Sequence, residues 1–232
     1  MTDPGTGPSA PVLTIDGPGG AGKGTISRLV AERLGWRLLD SGALYRLVAL
    51  DANQRGVALD SETRVADLAA RLDARFESAG GRTRVLLNGH DVTDAIRSEE
   101  TGDGASRVAV LPLVRQALID RQRAFRRPPG LVADGRDMGA VIFPDARLKV
   151  FLTASAEERA RRRHKQLKDK GIDVSLSALL GDMVERDRRD SGRSIAPLKP
   201  SDDARILETT GMEIPTVVDA VLRWALEARL TE

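Results

Sequence analysis

The sequence contains no cysteine, which removes disulfides, thiolate metal centres and cysteine nucleophiles from consideration. Histidine is almost as scarce: only His90 and His164 could offer imidazole, and no local spacing pairs them into a metal site. Aromatic residues make up 3% of the chain, too few for a surface that stacks unpaired bases. A formal charge of +2 over 232 residues gives no case for a bulk nucleic-acid binder. No apolar run approaches the roughly 20 residues that span a bilayer. The first ten residues lack the basic-then-apolar order of a secretory signal and, rich in Pro, Gly and Thr, are expected to form a disordered tail. These absences predict a cytoplasmic chain with neither a membrane nor a nucleic-acid partner. Its length suits one well-buried core carrying an insertion.

What is present begins at Val12-Leu-Thr-Ile-Asp16, an apolar β-branched run. It leads into Gly17, Pro18, Gly19, Gly20, Ala21, Gly22, Lys23, Gly24 and Thr25, and an amphipathic helical pattern follows. Strand, glycine turn and helix in that order are the context of a phosphate-binding loop. Gly17 and Gly22, with four residues between them, let the backbone curl with its N–H groups inward, and the positive end of the helix reinforces them. Lys23 adds a mobile cation for the outer phosphates. Gly24 stands where such loops usually carry a hydroxyl residue, and the hydroxyl comes one position later. Thr25 is thus the residue to order a Mg²⁺ shell, directly or through water, and the only metal expected arrives with the nucleotide.

Further along, Val/Ile/Leu-rich runs alternate with helical-period stretches, which predicts a mainly parallel sheet covered by helices. Strands are expected at Val12–Asp16, Trp36–Leu39, Leu131–Asp134, Leu148–Thr153 and Ile206–Thr209. Ala74–Ser78 and Thr83–Leu87 alternate instead around Gly80-Gly81 and read as a hairpin in an inserted subdomain. Helices are expected to resume near Ser106 and again at Pro112. The two glycines of Glu99-Glu-Thr-Gly-Asp-Gly-Ala105 are expected to loosen the approach to Ser106. Ser155-Ala-Glu-Glu158 reads as a capping box opening a charged helix to Lys170.

Three arginine-bearing clusters follow strands or close the charged helix pair: Asp40–Arg46, Asp134–Gly139 and Glu185–Arg193. In an open parallel sheet ligands gather at the carboxyl ends of strands. Transfer of a phosphoryl group to an alcohol calls for a positioned base. A phosphate monoester is already anionic near neutral pH, so the difficulty becomes bringing two anions together. Guanidinium forks address that difficulty. On the residues alone, a nucleoside monophosphate, a small alcohol or a nucleotide-dependent regulatory switch all remain open.

The segments Leu39-Leu-Asp-Ser-Gly-Ala-Leu-Tyr-Arg46, Ala133-Asp-Gly-Arg-Asp-Met-Gly139 and Arg186…Asp190…Arg193, with the loop Gly17–Thr25, resemble the bacterial cytidylate kinases, a branch of the nucleoside monophosphate kinases. The resemblance runs from about Val12 to Leu230. It implies an α/β P-loop kinase fold, with a central parallel sheet flanked by helices, an inserted monophosphate-binding subdomain and a helical lid. The implied division is a tail at 1–10, a core of 11–40, 111–156 and 190–232, a monophosphate-binding domain at 41–110 and a lid at 157–189. It further implies a monomer that moves the γ-phosphoryl of Mg-ATP to CMP or dCMP. Gly17–Thr25 would hold ATP, Arg46 and Arg136 the acceptor phosphate, and Ser41, Arg115, Asp137 and Arg193 the cytosine side. Ser106, Arg186 and Asp190 would touch the pentose. Lid arginines such as Arg159 and Arg163 would reach the transferring group, and Lys23, Arg136, Arg186 and Arg163 would stabilise its charge.

Overall fold

A computed structural model describes residues 10–79, 82–169, 171–192 and 197–230. In chain order the elements are β1 (Val12–Asp16), α1 (Lys23–Leu34), β2 (Arg37–Asp40), α2 (Ser41–Gln54), α3 (Glu62–Ala70), β3 (Ala74–Ala79), β4 (Arg82–Leu87) and β5 (His90–Asp91). They continue with α4 (Glu99–Val108), α5 (Pro112–Arg123), β6 (Leu131–Gly135), β7 (Leu148–Thr153), α6 (Ala156–Lys168), α7 (Leu176–Ser191), β8 (Arg205–Glu208) and α8 (Ile214–Glu227). They form two compact units, Met1–Asp40 with Gln122–Glu232, and Ser41–Arg121.

The first unit holds a five-stranded sheet in the order β2-β6-β1-β7-β8, with every pair parallel. Parallel neighbours need crossover connections, and the helices that supply them shield the sheet faces. All residues of β1 and β6 are buried, as continuous apolar runs require, whereas the edge strands β2 and β8 are mostly exposed. Ile26, Val30 and Ala31 of α1 and Val217, Val221 and Ala225 of α8 pack on Leu13, Ile15, Val150 and Leu152. The α/β fold with a flanked parallel sheet is therefore the observed one. Ser155 caps α6 through Glu158 N at 3.2 Å, as expected. The return half of the capping box is not made: the Ser155 N–H goes to Thr210 Oγ1, and the Glu158 carboxylate takes Arg161 and Arg162. Of the expected tail, positions 1–9 lie outside the described residues, and the Ala10 carbonyl accepts from Arg126 Nε at 2.7 Å.

The second unit carries a three-stranded antiparallel sheet, β3-β4-β5. The expected hairpin is there, although its Gly80-Gly81 turn lies outside the described residues. The third strand was not expected. It follows a two-residue turn in which Asn88 (φ 50°) and Gly89 (φ 81°) are both left-handed, the geometry that matches strand twist. Asn88 also donates to the buried Asp51 of α2 at 2.8 Å, which anchors this sheet. Arg121 donates to the carbonyls of Leu72 and Ala74, tying the end of α5 to the same unit.

The two glycines before Ser106 do not loosen the chain. Helix α4 runs through both from Glu99, capped by Ser98 on Thr101 N. A Cβ on Gly102 would lie 3.0 Å from Arg46 Nη2, and one on Gly104 would lie 3.1 Å from Ala49 Cβ. The missing side chains admit α2 to close contact, and packing outweighs the low helix propensity of glycine.

Candidate active site

The first unit brings the glycine loop to the carboxyl edge of its sheet. At Gly17 (φ 149°) an added Cβ would fall 2.0 Å from Leu152 O, so only glycine lets the chain leave β1 this close to β7. Gly22 (φ 92°) stands before α1 in the left-handed region, with no side chain capping the helix. The first turn of α1 thus keeps its backbone donors for an external acceptor. Thr25 is exposed in that turn, and Lys23 is half-buried beside it, its Nζ donating to Pro18 O at 2.9 Å.

Arginines surround the loop. A Cβ placed on Gly19 would lie 3.6 Å from Arg136 Nη2 and 3.9 Å from Arg186 Cδ. Arg159, buried at the start of α6, donates to Gly19 O at 2.9 Å and to Ala154 O at 3.0 Å. Both of its terminal nitrogens also reach the Asp187 carboxylate, at 3.2 and 2.5 Å. Arg162 donates to Ala21 O at 3.4 Å and to Thr209 O at 2.6 Å. Because C=O and N–H oppose each other across a trans peptide, tying back the Gly19 carbonyl turns the following N–H the other way. Arg159 therefore holds the loop and joins it to α7. Arg163, half-buried on α6, donates to Gln166 Oε1 at 3.4 Å.

Two buried carboxylates stand behind the loop. Asp16 ends β1 and Asp134 lies on β6, directly across the register from Ile15. Burial pushes each up to about 7, against the opposing pull of Lys23. For Asp16 the backbone N–H groups of Gly139 and Met138 also pull down, and Asp137 adds to the rise. Burial pushes the Lys23 ammonium down, with Asp134 as its main support. Among the described residues no group of three or more His, Cys, Asp or Glu could hold a metal ion. Oxygens near the first turn of α1 include the Thr25 hydroxyl and Asp134, whose Oδ2 would be 3.6 Å from a Cβ on Gly24. Such a sparse, all-oxygen set fits a magnesium ion carried mostly by phosphate and water.

Arg136 Nη1 is paired with Asp190, whose carboxylate is fully buried at the end of α7. Asp137 is buried ahead of a wide helical turn, Met138–Ile142, that the sequence did not reveal. Arg186 is half-buried on α7, and Arg193 lies outside the described residues. The other expected positions belong to the second unit. Arg46, on α2, donates to Ile96 O at 2.7 Å and to Ser98 O at 3.2 Å. Ser41 and Ser106 are buried, and Arg115 is buried on α5 with Nη1 3.4 Å from Ala109 O. Sequence reasoning passed over Asp16, Arg162 and Asp187. Their partners lie far along the chain, and no local pattern marks them.

A loop so built, on a parallel sheet, defines the class: a phosphate-binding-loop phosphotransferase. Residues 13–227 match the cytidylate kinase family, and the chain belongs to that family. It is 61% identical over 217 residues to the cytidylate kinase of Pseudomonas aeruginosa strain UCBPP-PA14, covering 93% of this chain and 95% of that one. Against the cytidylate kinase of Aeromonas salmonicida strain A449 the identity is 56% over 216 residues, covering 93% and 94%. An uncharacterized protein from Eubacterium ventriosum shares the fold, with a TM-score of 0.52 at 11% identity over 94% of this chain and 98% of that one. The chain is a nucleotide-using kinase. Among the described residues no helix is long and apolar enough to cross a membrane.

Proposed function

We propose that this kinase transfers the γ-phosphoryl group of Mg-ATP to CMP or dCMP, giving ADP and the nucleoside diphosphate. The observation that carries the reading is the approach of Arg136 and Arg186 to the glycine loop, which puts guanidinium charge beside a phosphate cradle. The acceptor phosphate needs no base, because its second ionisation lies near pH 6. The work left to the protein is to hold two anions in line and cancel their repulsion. Gly17–Thr25 and Lys23 take the ATP phosphates, and Arg136, Arg186 and Arg163 face the developing charge. Asp137, Asp190 and Arg193 serve the monophosphate, together with Ser41, Arg46, Ser106 and Arg115 of the second unit. Thr25 and Asp134 would hold the magnesium shell, and the ion when bound neutralises phosphate charge. Residues 41–110 act as the monophosphate-binding domain and 157–189 as the lid, which excludes water when closed. The enzyme works as a cytoplasmic monomer on free nucleotides.

A coupled assay over CMP, dCMP, UMP, AMP and small alcohols tests this. CMP and dCMP should turn over fastest, because a site that hydrogen-bonds the cytosine edge leaves buried groups unpaired with UMP. Preference for UMP or AMP overturns the acceptor assignment. ATP hydrolysis indifferent to every added acceptor overturns the transferase reading in favour of a nucleotide-driven switch.

A further inference from the structure

The Asp16 carboxylate is occupied on both sides. Oδ1 accepts from Met138 N and Oδ2 from Gly139 N, each at 2.8 Å and each buried, across separations of 122 and 123 residues. Consecutive N–H groups converging on one carboxylate form an anion nest. The two donors open the turn that follows Arg136 and Asp137, while the acceptor immediately precedes Gly17. The same segment is pressed onto the sheet. A Cβ on Gly139 would come 2.9 Å from Thr14 Oγ1, and one on Gly135 would come 2.7 Å from Met138 Cγ. A buried carboxylate one residue ahead of a phosphate cradle is electrostatically unfavourable, and stability alone gives no reason to keep it. The nest supplies that reason.

We propose that Asp16 is a positioning residue for the acceptor. By gripping the Met138 and Gly139 amides it fixes the Arg136–Asp137 segment relative to the loop that starts at Gly17. The proposal rests on the reading that Arg136 serves the monophosphate. Asp16 touches neither substrate; it sets the place from which Arg136 acts.

Asp16→Asn turns one acceptor into an NH₂ group that faces an N–H. Asp16→Glu keeps the charge and displaces it by one methylene. Each variant should raise KM for CMP by about tenfold or more, since a hydrogen bond to a charged group is lost. KM for ATP should stay within about twofold, and both variants should melt as cooperatively as the wild type. Amide exchange read by NMR should show Met138 and Gly139 N–H slow in the wild type and at least about tenfold faster in either variant. Unchanged KM for CMP in both variants overturns the proposal. So does a proportional rise in KM for both substrates, the mark of a generally loosened phosphate loop, and so does fast exchange of the two amides in the wild type. If the wild type ignored CMP in the acceptor panel, the functional reading would fail alone. The amide exchange rates would then still decide the latch.

Discussion

Alanine in place of Arg136 is expected to lower kcat/KM for CMP by about three orders of magnitude while ATP affinity changes by less than about threefold. Two charge-assisted hydrogen bonds to phosphate are worth about 3–6 kcal/mol together, which is roughly 10²–10⁴ in rate. The split between substrates is the informative part. Lys23 and the loop carbonyl ties through Arg159 and Arg162 do not involve Arg136. A structural complication is built in, because Arg136 is a guanidinium partner of Asp190, a carboxylate with no exposure. Removing one side of such a pair costs about 3–5 kcal/mol. The single variant should therefore also lose thermal stability. Arg136→Ala with Asp190→Asn should recover much of that stability and none of the CMP turnover. If the double variant regained both, Arg136 would be a scaffold for α7 and nothing more. Unchanged CMP kinetics in the single variant would remove it from the site.

The parts of this fold that were legible in advance are those whose cause is local. Val12–Asp16 and Leu148–Thr153 are almost wholly buried and so read as mainly apolar runs, interrupted inside only by Thr14 and Lys149. The loop after β1 announces itself through glycines that backbone geometry demands. The hairpin at β3–β4 shows its alternation, because one of its faces is wet. What escaped notice depends on partners far away in the chain. Gly102 and Gly104 look like helix breakers until Arg46 and Ala49 are seen against them. Arg159 stands in an arginine-rich helical run, and nothing local marks its ties to Gly19 and Asp187. Asp16 sits inside a pattern read entirely for its glycines, and its role lies in amides more than a hundred residues away. Charged side chains with several acceptors in reach carry no periodicity, so pattern alone cannot say which acceptor wins.

Lys23→Ala is expected to lower kcat by about 10²–10³-fold, the usual loss when one preorganised donor to developing charge is removed. KM for CMP should move by less than about threefold, which separates this variant from Arg136→Ala. In the chain without nucleotide the ammonium rests on Pro18 O at 2.9 Å, and burial disfavours its charged form. It is therefore a group held ready at some cost to the folded state, and alanine should leave the melting temperature unchanged or raise it. Arginine should not restore turnover, since a planar fork on a longer reach replaces a compact point charge in a loop already walled by Arg136, Arg159 and Arg162. Loss of activity with retained or improved stability is the pattern of a group kept for the phosphates and not for the fold. An alanine variant that kept more than about a tenth of the wild-type kcat would mean that the arginines and the backbone cradle suffice without the lysine.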